Sequence, residues 1–346
     1  MGSEPGAQSA QGCAQTVPAP IGRLSSRAVS EETILEVKDL HKTFHIGFFR
    51  KRIEAVRGLS FDVKRGEIFG FVGHNGAGKT TSIKMMLQLI YPDRGGVKIF
   101  GAPAGDPAAR QRLGYLPENP YIYTYLKPLE FLDLCGRLTH MDRKERVARS
   151  AELLQRLGLA DATDRPIGKF SKGMMQRLGV CQALLHEPEL LILDEPFSGL
   201  DPIGRKDIRD LLLEQRAQGK TLLLTSHVLS DVELMCDRVA IVQRGQLVAY
   251  GALRDLLKPD VRRVEIELSR VDAALLGELR ALATSVRELH PHVMVVVEGD
   301  AKVPEVLKLI VERGAQVLAV IPYRETLEDL FVRKAAETPG PTMTHA

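Results

Sequence analysis

From Ile34 onward, short apolar runs alternate with stretches whose apolar residues recur every three or four positions. That alternation predicts a mixed or parallel sheet covered by helices. Three runs are nearly continuous in apolar residues, as strands buried on both faces are: EIFGFVG at 67–73, ELLILDE at 189–195 and KTLLLTSH at 220–227. Each gives way to polar residues or glycine. In open α/β sheets ligands gather beyond the carboxyl ends of the strands, so Lys79, Asp194, Glu195 and His227 are expected to converge there.

Between 88 and 170 the pattern turns largely helical, with 129–138 and 147–157 as its clearest amphipathic segments, and reads as an inserted helical arm. A second unit begins near Arg262. RRVEIELS reads as a strand, 272–283 as a helix, SVREL and HVMVVVEG as two strands, VPEVLKLIVERGA as a helix and QVLAVIP as a strand. This β-α-β-β-α-β order predicts a ferredoxin-like sandwich, and a short helix over 325–334 follows it. The expected organisation is a disordered tail over 1–30, an α/β unit over 31–255 containing the arm, a small α+β unit over 260–335 and a polar tail over 336–346.

Composition narrows the classes. A hydrophobic fraction of 44% beside 26% charged residues is the balance of a globular chain with a substantial core. The net charge of +3, left by 47 basic and 44 acidic side chains, argues against a dedicated nucleic-acid binder. Cys13, Cys135, Cys181 and Cys236 lack the close spacing of metal sites or a disulfide framework and read as reduced thiols. No apolar stretch approaches the roughly 18 residues a spanning helix needs, and the first 30 residues lack the apolar segment of a signal peptide.

The most specific chemistry lies after the first buried run. Gly73-His74-Asn75-Gly76-Ala77-Gly78-Lys79-Thr80 follows a predicted strand and opens a helix over 81–90 that starts with Thr81. This is the phosphate-binding loop pattern. Its glycines let backbone N–H groups point inward at a helix N-terminus, where partial positive charge favours phosphate. Lys79 is expected to reach the outer phosphates of ATP, and the Thr80 hydroxyl to reach Mg²⁺. A strand that delivers two adjacent carboxylates needs something to compensate them. Asp194 reads as the acid on the Mg²⁺ side and Glu195 as the base that takes a proton from the attacking water.

The segment KFSKGMMQRLGVCQALLHEPELLILDEPFSGLDP at 169–202 resembles the ATP-binding cassette ATPases, and the resemblance runs from about 34 to 251. It covers the phosphate loop, a signature loop at 170–174, the Asp194-Glu195 pair, the 198–201 loop and His227. The resemblance implies a phosphate-loop cassette that works as a head-to-tail pair of copies. Ser171 and Gly173 of one copy then meet the ATP held by the other, His227 holds the γ-phosphate, and Asp201 links the two sites. Phe44 stands where the family carries a ring that stacks on adenine, though a phenylalanine among short strands is more often core. The basic stretch HIGFFRKRIEAV that follows reads as a solvated hairpin.

Two positions depart from the family pattern. Glu118 replaces a glutamine that senses Mg²⁺, and a carboxylate there can also ligate the metal. Lys172 replaces a small residue in the signature loop and either lies near the partner's phosphates or faces water. The ending YRETLEDLFVRKA resembles cassette subunits that serve export permeases. The expected protein is therefore an ATPase at the inner face of the cell membrane, cytoplasmic, paired with a second ATPase subunit and a separate permease. The permease would be met around 115–138, where NPYIYTYL offers tyrosines. The alternative is a soluble cassette ATPase that clamps a macromolecule. Such proteins generally carry two cassettes or long coiled coils, and this sequence has neither.

Overall fold

The computed structural model describes residues 31–47, 51–257 and 261–337. The expected tail at 1–30, residues 338–346 of the one expected over 336–346, and Cys13 lie outside them, whereas residues 336–337 end the last helix. In chain order the first unit begins with β1 (Thr33–Ile46), β2 (Lys51–Lys64), β3 (Ile68–Val72), α1 (Lys79–Met86), β4 (Arg94–Ile99), β5 (Ala102–Pro103), α2 (Pro107–Gln111) and β6 (Leu113–Leu116). It continues through α3 (Pro128–Leu138), α4 (Arg143–Arg156), α5 (Lys172–Leu184), β7 (Leu190–Leu193), α6 (Pro202–Ala217), β8 (Thr221–Ser226), α7 (Leu229–Met235), β9 (Arg238–Gln243), β10 (Gln246–Ala252) and α8 (Leu253–Leu256).

The central sheet has the order β10-β9-β3-β8-β7-β6, parallel except for β10 at one edge. Its strands alternate between two cores. On β3, Ile68 and Val72 join the cluster that holds α5 and α6, while Phe69 and Phe71 join the one that holds α1, β1 and β2. Leu191 and Leu193 of β7 repeat the first side, and Leu190 and Ile192 the second. Burial on both faces accounts for the continuous apolar runs and stabilises each side chain by roughly 1.5–3 kcal/mol. A second, antiparallel sheet, β2-β1-β4-β5, packs over the α1 side. In the basic stretch at 45–56, Ile46 pairs with Lys51 across β1 and β2, and residues 48–50 lie outside the described ones.

The helical reading of 88–170 needs correction in its first half, whose one helix is the five-residue α2. β4 and β5 extend the antiparallel sheet and β6 forms the edge of the central one, so continuous helix begins only at Pro128. β6 has four residues, too few to display a period, and β4 is largely exposed and rich in glycine. The arm proper is α3 and α4, the latter capped by Asp142, whose carboxylate accepts the Lys144 N–H at 2.9 Å.

The second unit runs β11 (Val261–Ser269), α9 (Ala273–Leu282), β12 (Ser285–Leu289), β13 (His292–Glu298), α10 (Val303–Glu312), β14 (Gln316–Arg324) and α11 (Leu327–Glu337). Its antiparallel sheet has the order β12-β13-β11-β14, the arrangement of a ferredoxin-like sandwich. α11 leaves the sandwich and returns to the first unit. Leu327 and Leu330 are buried in the α5–α6 core beside Val232 and Met235 of α7, and the Leu327 N–H donates to Glu233 at 3.1 Å. Glu325, fully buried at this junction, pairs with Arg262 and Arg333. Cys135, Cys181 and Cys236 are free thiols.

Candidate functional site

The carboxyl ends of β3, β7 and β8 open on a cleft of about 630 Å³, within the span of small-molecule sites. The loop after β3 forms its floor. Gly76 and Gly78 have φ of 80° and 101°, a region costly for any residue with a Cβ, and Gly78 is the N-cap of α1. A Cβ on Gly78 would lie 2.4 Å from the Ala55 carbonyl oxygen, and one on Gly73 would lie 2.4 Å from that of Val242. The loop is pressed between β2 and β9, so its shape is fixed before any ligand arrives. Lys79, 7% exposed, folds back to donate to the Gly73 carbonyl at 2.6 Å and stands 3.9 Å from Glu195 Oε1.

β7 delivers the acids. The Thr225 hydroxyl, from the neighbouring β8, donates to Asp194 Oδ1 at 2.7 Å and accepts the Glu195 N–H at 2.8 Å, tying both acids to one side chain. Asp194 Oδ2 is buried with no hydrogen-bond partner. Burial pushes the Asp194 carboxyl above the usual aspartate range; the Thr225 hydrogen bond and the nearby Thr80 hydroxyl oppose this, and the Glu118 and Glu195 charges add to it. Glu195 has a left-handed backbone, φ 53°, which costs about 1–2 kcal/mol for a residue with a Cβ. Its N–H bond to Thr225 and a bond from Gln176 Nε2 to its carbonyl at 3.1 Å hold it there. Its Oε2 lies 2.7 Å from His227 Nδ1 and accepts the His227 backbone N–H at 3.3 Å.

The cleft therefore brings together His74, Asn75, Gly76, Gly78, Lys79, Thr80, Thr81, Glu118, Asp194, Glu195 and His227 of the residues expected from sequence. Ala77 is buried beneath the loop. Four others lie elsewhere. Phe44 is half-buried with the Lys42 ammonium 5.7 Å from its ring centre, and its cross-strand partner Ile53 lines the cleft. Ser171 caps α5 by accepting the Met174 N–H at 3.2 Å, and Asp201 caps α6 by accepting the Gly204 N–H at 2.9 Å. Gly173 packs on Gly199, where an added Cβ would stand 3.2 Å from the Gly199 carbonyl oxygen.

Sequence reasoning missed Thr225, Gln176 and the cleft's outer wall of Ile53, Arg57, Arg244 and Gln246. Thr225 stands out, in retrospect, as the first polar residue after an all-leucine run. The outer wall carries no local signal. Backbone bonds bring it in, from Arg57 N–H to Gly245 O at 2.8 Å and from Gly245 N–H to Ala77 O at 2.9 Å.

The residues fit Mg²⁺ and a nucleoside triphosphate: a preformed loop at a helix N-terminus, a buried lysine and an orphaned carboxylate oxygen beside a threonine hydroxyl. Among the described residues no group of three or more His, Cys, Asp or Glu is arranged to hold a metal alone. Mg²⁺ commonly uses one or two carboxylates plus substrate phosphates. Also among them, no helix is long and apolar enough to cross a membrane.

Residues 56–198 match the sequence model of the ABC transporter family. The bacitracin transport ATP-binding protein of Bacillus licheniformis is 36% identical over 305 residues, 87% of this chain and 97% of that one. The Nod factor export ATP-binding protein of Burkholderia orbicola is 39% identical over 231 residues, 66% of this chain and 76% of that one. A solved ATP-binding subunit of an ABC transporter superposes with a TM-score of 0.59 at 36% identity, covering 65% of this chain and 92% of the other.

Proposed function

Since this chain belongs to the ATP-binding subunits of ABC transporters, its ATPase motor role is given, and we propose that it works as one of two head-to-tail copies driving a separate export permease. The observation that carries the chemical part is Glu195, held in a left-handed backbone between Lys79 and His227.

In this reading the loop N–H groups and Lys79 bind the triphosphate, Lys79 exchanging the Gly73 carbonyl for phosphate oxygens. Thr80 and the orphaned Asp194 oxygen, with Glu118 at the rim, hold Mg²⁺, which supplies charge neutralisation between the phosphates when bound. Glu195 takes a proton from the attacking water, and His227 fixes that carboxylate's orientation. Ser171 and Gly173 face away from their own cleft and serve that of the second copy, with Asp201 shaping the loop between the two surfaces. Phe44 contributes a ring beside the base, next to Ile53. The permease meets the arm around α3, beside the exposed Tyr121, Tyr123 and Tyr125, and the chain works at the inner face of the cell membrane.

The export direction rests on the relative that serves Nod factor export and on the ending at 323–335, which resembles that of export-type subunits. The deciding experiment is sedimentation of the Glu195→Gln protein with Mg²⁺ and ATP, alone and with the membrane fraction. Dimers that form with ATP and dissociate with ADP, and that co-purify with a membrane protein, are expected. A protein that stays monomeric in both settings would defeat the reading.

A further inference from the structure

Two exposed side chains near this chemistry carry opposite charges, and each lacks the partner its position calls for. Glu118 lies on the cleft wall, close enough to Asp194 for its charge to push that carboxyl up. Among the described residues it has no hydrogen bond or ion pair. The lining holds four carboxylates, of which Glu54 pairs with Arg52 and Arg57 and Glu195 stands near Lys79, while Glu118 has no ion pair among the described residues. A triphosphate entering this cleft brings still more negative charge.

Lys172 has the converse problem. It is the first residue of α5, whose opening turn contains no acid, so its ammonium sits at the positive end of the helix with nothing to offset it. A cation there is disfavoured by about 0.3–1 kcal/mol. Its stem is nonetheless held, because a Cβ on Gly199 would lie 2.7 Å from Lys172 Cδ. The lysine is laid across the 198–201 loop, whose Ser198 lines the cleft. A stem already packed loses less entropy when its head group is captured. Among the described residues Lys172 forms no ion pair.

We infer that Lys172 of one copy faces Glu118 on the wall of the other copy's cleft, so that this carboxylate gains an opposing side-chain cation only in the pair. The inference rests on the head-to-tail reading above and adds to it the pair of side chains that registers the two copies. Complementary charges across an interface suppress wrong pairings and raise the association rate, both in a salt-dependent way.

Charge reversals tested in mixtures decide it, on the Glu195→Gln background with Mg²⁺ and ATP, read by sedimentation. Lys172→Glu alone and Glu118→Lys alone each face like charges across both sites and are expected to dimerise at least tenfold more weakly than their parent. Mixed one to one, they form a heterodimer in which every site again has one cation and one anion, and pairing is expected to recover. Recovery only when both reversals are in the same chain, and not in the mixture, would mean the two residues meet within one copy and would overturn the proposal. A neutral pair guards against Glu118→Lys simply blocking ATP: Glu118→Gln with Lys172→Met should weaken pairing no more than the worse single change. Independent, multiplying losses would overturn it too. A parent that never dimerises would remove the head-to-tail reading itself.

Discussion

The nucleotide cleft and the core of the ferredoxin-like sandwich obey opposite rules. Among the described residues of 261–324 every buried side chain is apolar, from Val264, Ile266 and Leu268 on β11 to Val306 and Ile310 on α10. Around the cleft, Lys79, Asp194 and Glu195 are each less than a tenth exposed, one carboxylate oxygen has no partner, and one acid holds an unfavourable backbone angle. Stability alone explains the first region and would select against the second. Departures from local rules concentrate where a ligand's charge and contacts repay them.

The largest effect expected from this contrast is that of Glu195→Gln. Removing the proposed proton acceptor while keeping its shape should slow phosphate release by about 10²–10⁴-fold with little change in melting temperature. A loss of only a few fold would make Glu195 a structural acid like any other. Ile266→Ala is the mirror case: a cavity in the sandwich should cost about 2–5 kcal/mol in denaturant unfolding. Phosphate release per folded molecule should stay unchanged, and a parallel fall would mean the regions cannot be separated.

Thr225→Val comes next. Both acids lose their shared hydroxyl, and a buried polar group left unpaired costs about 1–3 kcal/mol, so phosphate release should drop about tenfold or more. The smallest effect has the opposite sign. Asp194→Asn should raise the melting temperature of the nucleotide-free protein. The Asp194 carboxyl is raised on folding, so its charge destabilises the fold above the folded value, and the penalty fades as pH falls toward the unfolded aspartate range. The variant's advantage in thermal melts should therefore be widest at neutral pH and shrink on acidification. An advantage independent of pH would remove burial of that charge as its cause.

What was legible in the sequence follows the same division. The phosphate loop is contiguous, so its eight residues announced both the turn and the chemistry, and β3, β7 and β8 were readable because burial on both faces leaves unbroken apolar runs. The sandwich was readable from its alternation, element by element. The arm was misjudged where β4 and β6 owe their strand state to neighbours far along the chain, Val37 across from Val97 and Leu191 beside Gly114. The outer cleft wall was invisible for a related reason. Arg57 and Arg244 are neighbours only because two hairpins bond to each other over the loop, and no spacing in a linear sequence encodes that.

The return of α11 to the cassette governs how the protein is made. Leu327 and Leu330 seal the α7 side of the catalytic core, yet the ribosome supplies them only after the entire sandwich has been synthesised. Until then the apolar flank of α7 stays wet, on the helix that directly follows His227 and packs so closely on β3 that a Cβ at Gly70 would stand 2.7 Å from Val232. The far end of the neighbouring unit thus completes this wall, and a cut between the two units would leave it unfinished.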